Sequence, residues 1–417
     1  VNILVLCPHF SPDIAPTGEV MTTIARGLVD LGHRLHVVTA LPWYRDHRIE
    51  PGWGGRIVRT EDVPWGRISR VHPFPADKTN IPARALAFGG FTALATAVGL
   101  ATRRGPRPDV VLAMSPPITL GPAGWLVARR WRVPFVFNVQ DVFPDVAVEL
   151  GAITNPKVIA AASRLERFVY DHADAVTVLS DELAANVRAK LGPREPAGKV
   201  RVIPNFVDTA AIAATPPGGA DNAYRREFGL EGRTVVLYAG NVGLSQSLDL
   251  LVGAARALER TRPDVVFVVN GDGSARAALE RSAEGLGNVR FVGYQPKERL
   301  PEVLAAGDVH VVLLKRGLAR SSVPSKLYSI LAAGRPLVAS VDEGTEVART
   351  VEQAGAGTAV PPDDLDAFLA ALEPLLDDAD RRATMGASGR RFVESWASPA
   401  AVAAAYGELF AELSRGA

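Results

Sequence analysis

Four cations fall within one short stretch, Lys315–Lys326, which reads KRGLARSSVPSK and runs directly into LYSILAAGRPLVAS. Lys315, Arg316, Arg320 and Lys326 carry the charge, and Pro324 with Ser325 stands where the first turn of a helix would begin. Cations and the free N–H groups of a helix start act in the same direction, and together they suit a multiply charged diphosphate. The alternative is a solvated basic loop. Two glycine-bearing turns lie upstream. One follows an apolar run as AGNVGLSQSL and places Gly240, Asn241 and Gly243 before a helix; the other follows VVFVVN as Gly271-Asp272-Gly273. Glycine lets a backbone approach a phosphate closely, although each turn alone is also an ordinary tight turn. Near the start, CPHFSPDIAPTGEV offers Thr17-Gly18 at a helix beginning, an end that suits an anion and equally a simple cap. It is not a G-x-G-x-x-G turn, which argues against a nicotinamide or flavin dinucleotide at the first crossover.

The elements that must hold these loops alternate throughout. Short β-branched runs at Ile3–Leu6, Leu35–Thr39, Val110–Met114, Phe135–Val139, Ala175–Leu179 and Val200–Ile203 read as strands. Between them are helical stretches such as Val158–His172 and Asp181–Leu191, and Val20, Ile24, Leu28 and Leu31 recur at helical spacing before Gly32. After the Pro/Gly-rich segment TPPGGADN the alternation restarts, with strands expected at Val235–Ala239, Val265–Asn270, Val289–Val292, Val309–Leu313 and Pro336–Ser340. This predicts α/β architecture: two doubly wound, Rossmann-like domains with parallel sheets, over residues 1–205 and 206–397, binding ligands beyond the carboxyl ends of their strands.

At 417 residues the chain is long enough for two cores, and 22% charged residues with a net charge of +1 give no reason to expect nucleic acid. The charge is uneven, with 24 Lys/Arg against 18 Asp/Glu over residues 1–205 and 22 against 27 beyond them. A basic first half could face an anionic membrane surface, or the imbalance is scatter. One cysteine, Cys7, and seven histidines without H-E-x-x-H spacing give no disulfide framework and no metal cluster. The chain begins on an apolar strand with no visible signal peptide, so the expected location is cytoplasmic. Residues Ala85–Thr102 are uncharged and reach the lower edge of a membrane span, but their glycines and threonines favour a buried or membrane-touching crossover helix.

The order of Thr17-Gly18, AGNVG, NGDG, FVGYQP, PSKLYSILAAGRP and the late Glu346 resembles family 4 glycosyltransferases of the GT-B fold, and most of all the branch with bacterial fucosaminyl transferases of capsule and O-antigen assembly. The resemblance covers essentially the whole chain. It implies two facing domains, with a final helix (398–417) crossing back to the first. It implies retaining transfer of a sugar from a nucleoside-diphosphate sugar to a saccharide or lipid-linked acceptor in cell-envelope glycan synthesis, with no cofactor and no obligatory metal. The donor diphosphate would lie between Thr17-Gly18 and the glycine turns of the second domain, and the base near Tyr294 and Gln295.

The sequence also departs from the family. Where many relatives carry an Arg and a Lys to clamp the diphosphate, this chain has Asn241 and Gln246, which leaves Lys326 with Arg316 to stabilise the leaving group. Where many carry two glutamates it has Ser321 and Ser329, so Glu346 is expected to take the ribose. Asp141, in NVQDVFPD, is the carboxylate expected to orient or deprotonate the acceptor hydroxyl, with a turn aspartate as the alternative. His9 and Glu19 are acceptor-side candidates. Two other classes stay open: a GT-B enzyme such as a nucleotide-sugar 2-epimerase, and a non-catalytic sugar-nucleotide-binding module.

Overall fold

The computed structural model describes residues 1–45, 47–75, 81–101, 106–145, 148, 153–193, 196, 198–212, 221–243, 245–317 and 326–415, with backbone alone for 81–85. The chain divides into two compact units, Val1–Asn205 with Pro399–Ala417, and Phe206–Ser398.

In the first unit β-branched residues lie flat in a sheet buried on both faces. The strands are β1 (Asn2–Leu6), β2 (Arg34–Ala40), β3 (Val58–Val63), β4 (Gly66–Val71), β5 (Val110–Ser115), β6 (Phe135–Val139), β7 (Ala175–Val178) and β8 (Val200–Val202). They are ordered β3-β4-β2-β1-β5-β6-β7-β8. Every pairing is parallel except β3 with β4, an antiparallel hairpin at one edge. Sequence reasoning passes over that hairpin because β3 reads VRTEDV, a polar strand with no buried face. Leu4, Leu6, Val111, Phe135 and Val176 sit in the core of this unit.

The apolar stretch expected as a crossover is the helix Ile81–Ala101. Phe91 and Ala95 are buried in the same core, and Thr92 Oγ1 meets Thr119 Oγ1 at 2.7 Å. No described helix is long and apolar enough to cross a membrane.

The final helix, Pro399–Arg415, belongs to this first unit. It lies so close on the helix Pro16–Asp30 that a Cβ at Gly27 would come within 2.5 Å of Ala403 Cβ. Its Tyr406 hydroxyl accepts from Asn138 Nδ2 at 2.8 Å and lies 3.2 Å from Thr177 Oγ1. Gln140 Nε2 donates to Asn138 Oδ1 at 2.8 Å, and Asn205 Nδ2 donates to Gln140 Oε1 at 2.9 Å. This buried polar chain ties the returning helix to β6 and β7, because leaving any one member unpaired would cost a desolvated polar group.

The second unit is all parallel: β9 (Thr234–Ala239), β10 (Val265–Asn270), β11 (Val289–Val292), β12 (Val309–Leu313), β13 (Leu337–Ser340) and β14 (Gly357–Val360). Their order, β11-β10-β9-β12-β13-β14, reverses between β9 and β12. At that reversal neighbouring crossovers leave on opposite faces and open a crevice at the carboxyl ends of the two strands. The amino ends are closed by a buried ion pair. Arg225 Nη2 meets Asp308 Oδ2 at 2.7 Å, and the same oxygen accepts from Val235 N at 2.8 Å.

Candidate active site

At the crevice of the second unit Lys326 and the two glycine turns chosen from the sequence come together. At the end of β9 the chain turns at Gly240, whose φ of +143° suits glycine. A Cβ there would stand 3.2 Å from Lys326 Nζ. Lys326 opens the helix Lys326–Ala332, donates to the Tyr238 hydroxyl at 3.0 Å and lies 4.3 Å from the centre of that ring. Tyr238 in turn donates to Asn241 O at 2.6 Å. Among the described residues no carboxylate pairs with Lys326, and burial lowers its amine from an ordinary 10.5 to about 8. A partly desolvated ammonium with no counter-ion among the described residues is held at a cost, and an anion arriving beside it lowers that cost.

The neighbouring turns form the floor. Gly271 ends β10 with φ +156°, and a Cβ there would lie 1.8 Å from Gly240 O. At Gly273 a Cβ would lie 2.3 Å from Val242 O. Val242 N donates to Asp272 O at 2.9 Å, which joins the two turns. Gly243 N donates to the Gln246 side chain at 3.0 Å, so Gln246 shapes the loop. Asn241 and Asp272 are exposed beside these turns.

The other expected donor residues are more dispersed. Arg316 is exposed, with Nη2 donating to Pro362 O at 3.2 Å, and Lys315 is exposed next to it. Tyr294 is 60% exposed, and Gln295 is tied to Arg299 Nη1 at 2.8 Å. Glu346 begins the helix Glu346–Ala354 and accepts from the Tyr328 hydroxyl at 3.2 Å, which couples it to the helix that carries Lys326. Pro324 and Ser325 lie outside the described residues, as do Arg320 and Ser321. Sequence reasoning missed Tyr238 and Tyr328. Tyr238 reads as one more apolar residue of a core strand, and only the strand's end position hints at a polar task.

In the first unit, the loop after β1 packs on the helix Pro16–Asp30 at Gly18, where a Cβ would lie 2.8 Å from His9 Cβ. Thr17 is half-buried and Glu19 is exposed in the first turn of that helix. His9 Nδ1 stands 2.7 Å from Asp13 Oδ2, with Trp43 stacked at 5.8 Å and Tyr44 edge-on at 5.4 Å. Asp141 follows β6. It is exposed at its outer edge, yet its carboxyl loses enough solvent to sit above its ordinary pKa. Cys7 is fully buried, and burial pushes its thiol up to about 12, so it stays a neutral thiol at pH 7. Among the described residues no group of three or more His, Cys, Asp or Glu side chains is placed to hold a metal ion.

Comparison with known proteins agrees with this architecture. Residues 17–205 match the family described as glycosyl transferase 4-like domain, and residues 221–392 match glycosyl transferases group 1. The putative colanic acid biosynthesis glycosyl transferase WcaI of Escherichia coli is 28% identical over 90% of this chain and 92% of its own. The probable glycosyltransferase WbjE of Pseudomonas aeruginosa is 29% identical over 63% of this chain and 65% of its own. Among solved structures, sucrose-phosphate synthase from Thermosynechococcus elongatus superimposes with a TM-score of 0.67 at 18% identity, each chain covered in full. HepE of Anabaena, solved with UDP, gives 0.64 at 16% identity over 99% of this chain and 100% of its own. The parallel sheet reversing at a lysine-lined crevice, the returning helix and these matches over both units agree: the chain is a glycosyltransferase of the GT-B fold and belongs to family 4.

Proposed function

We propose that this enzyme performs retaining transfer of a sugar from a nucleoside-diphosphate sugar, held by the second unit, to a saccharide or lipid-linked acceptor in cell-envelope glycan synthesis. The single observation that carries the donor assignment is Lys326, a half-buried amine with no carboxylate partner among the described residues, set against the Gly240 turn at the strand-order reversal. A diphosphate leaving group would complete that charge, and the glycine turns allow its oxygens to approach backbone N–H groups. Arg316 is the second cation of the reading, Tyr294 and Gln295 its base contacts, and Glu346 its ribose contact. Thr17 and Gly18 serve the phosphates. Asp141 orients or deprotonates the acceptor hydroxyl in this reading, and His9 and Glu19 are its further acceptor-side residues. Lys326 and Arg316 supply the positive charge, so no obligatory metal is invoked.

The envelope setting draws on the colanic acid relative, which shares most of its length with this chain. The UDP and UDP-glucose bound to HepE make uridine nucleotides the first donors to try. A cytoplasmic enzyme touching the inner membrane face fits the helix Leu120–Trp131, where exposed Leu126 neighbours Arg129 and Arg130.

The test is a thermal-shift panel of uridine, guanosine, adenosine and thymidine diphosphates at fixed concentration. One base is expected to raise the melting temperature clearly above the others, since a ligand at about 100 times its Kd adds about 2.7 kcal/mol. Equal, negligible shifts for all four would refute the donor site.

A further inference from the structure

The helix that carries Lys326 is short, and its far end is held from outside. Lys326–Ala332 is 7 residues long, which puts Lys326 and Ala332 about 9 Å apart along the axis. Leu327, Ile330 and Leu331 are buried in a core of the second unit. Beyond the helix the chain turns at Gly334, with φ +67°. The carbonyls of Ser329 and Leu331 accept from Ala333 N and Gly334 N, each at 3.0 Å, and Ile330 O accepts from Arg335 N at 3.3 Å. The next carbonyl, Ala332 O, accepts from Arg390 Nη1, and a cation is the favoured partner for the carbonyls at a helix end. The same guanidinium donates to Ile212 O, to Thr209 O at 2.7 Å and to Glu394 Oε1 at 2.6 Å. Arg390 belongs to the helix Ala379–Trp396, which lies directly on this end. A Cβ at Gly386 would stand 2.0 Å from Gly334 O, and one at Gly389 2.8 Å from Leu331 Cδ2. A planar guanidinium offers five donors in fixed directions. One side chain thereby joins its own helix, the segment that enters the unit and the end of the Lys326 helix.

We infer that Arg390 is a positioning residue for the donor diphosphate: by holding Ala332 O it fixes the tilt of the Lys326 helix, and with it the place of Nζ against the Gly240 turn. The inference rests on the donor reading above and names what keeps its cation in place. Every part of it lies within Phe206–Ser398. A helix of two turns moves as a rod, so slack at Ala332 appears at Lys326. Misplacing a group that must meet a reacting charge by about 1 Å can cost about 10²-fold. A purely structural Arg390, satisfying three carbonyls that would otherwise lose their partner, would also lower stability when removed. Only the positioning role acts through Lys326.

The test is a calorimetric titration of the full chain, well below the melting point of every variant. The probe is whichever of uridine, guanosine, adenosine and thymidine diphosphate shifts the parent's melting most. Parent, Arg390→Met, Lys326→Met and the double variant form a cycle. Arg390→Met is expected to weaken binding on the order of 10-fold in the parent, and by less than about two-fold once Lys326 is methionine. Val393→Ala controls for stability. Val393 is fully buried on the same helix, so its truncation lowers the melting temperature, while binding is expected to stay within about two-fold of the parent. Arg390→Lys keeps the cation without the fork. It takes the methionine's place in the cycle if that variant does not fold, with an expected loss of about three-fold. A loss of equal size with and without Lys326, or no loss from either Arg390 variant, would overturn the inference. A parent that binds none of the four diphosphates would instead overturn the donor reading beneath it.

Discussion

Lys326→Met is expected to melt higher than the parent at pH 7 and to lose sugar transfer by about 10² to 10³-fold, the loss typical of removing one preorganised charge-stabilising donor. The two effects share one cause. Burial lowers the amine from 10.5 to about 8. Between those values the unfolded chain holds the proton more tightly than the folded one, so stability rises with pH across that window. Below pH 8 the full penalty is present, on the order of 3 kcal/mol. Methionine fills similar space without charge, and Tyr238 keeps its hydrogen bond to Asn241 O. A gain of a few degrees at pH 7 is therefore expected, and the gap to the parent should close as the pH approaches 10.5. Melting curves at pH 7, 8.5 and 10 check the sign. A variant that melts lower at pH 7 while retaining transfer would mean that the amine is structural and not a donor contact.

Gly271→Ala is the substitution with the largest expected structural cost. Its methyl would sit 1.8 Å from Gly240 O and 2.9 Å from Gly240 C, against backbone that cannot rotate away, with φ at +156°. Nothing there can move without separating β10 from the β9 turn, so a loss above about 4 kcal/mol and a melting drop of more than roughly 10 °C are expected. Gly285→Ala separates the two causes. It has φ +85° and nothing within 4 Å, so it carries the backbone strain alone, about 1 kcal/mol. Equal melting temperatures for the two variants would show that close approach of the turns is not what Gly271 provides. That approach matters to function because the Gly240 turn is the surface on which Lys326 rests.

Much of this was legible in the residues. Phe135–Val139, Val265–Asn270, Val289–Val292 and Val309–Leu313 are strands with the bounds expected of them, because β-branched runs between helices have no better place than a buried parallel sheet. The β3–β4 hairpin was not legible, since a polar edge strand has no pattern to betray it, and neither was β14, whose GTAV is half exposed and begins on a glycine. At the site, the glycine turns and Lys326 were readable as types in sequence. Their convergence at the reversal of strand order was not, because order in a sheet depends on crossovers that no local spacing encodes. The pairing of His9 with Asp13 was hidden for a similar reason. Four residues apart would mean one helical turn, but here it is an irregular loop that folds the carboxylate back.

Transfer itself can be measured in one step. Radiolabelled nucleoside-diphosphate sugars of the preferred base are incubated with the full chain and bacterial envelope membranes, and label in the extracted lipid and glycan is counted against nucleoside diphosphate released. The account predicts label in that fraction matched by diphosphate release, both lost in Lys326→Met. Label that stays in the nucleotide for every sugar tried, or transfer that Lys326→Met leaves untouched, would contradict it.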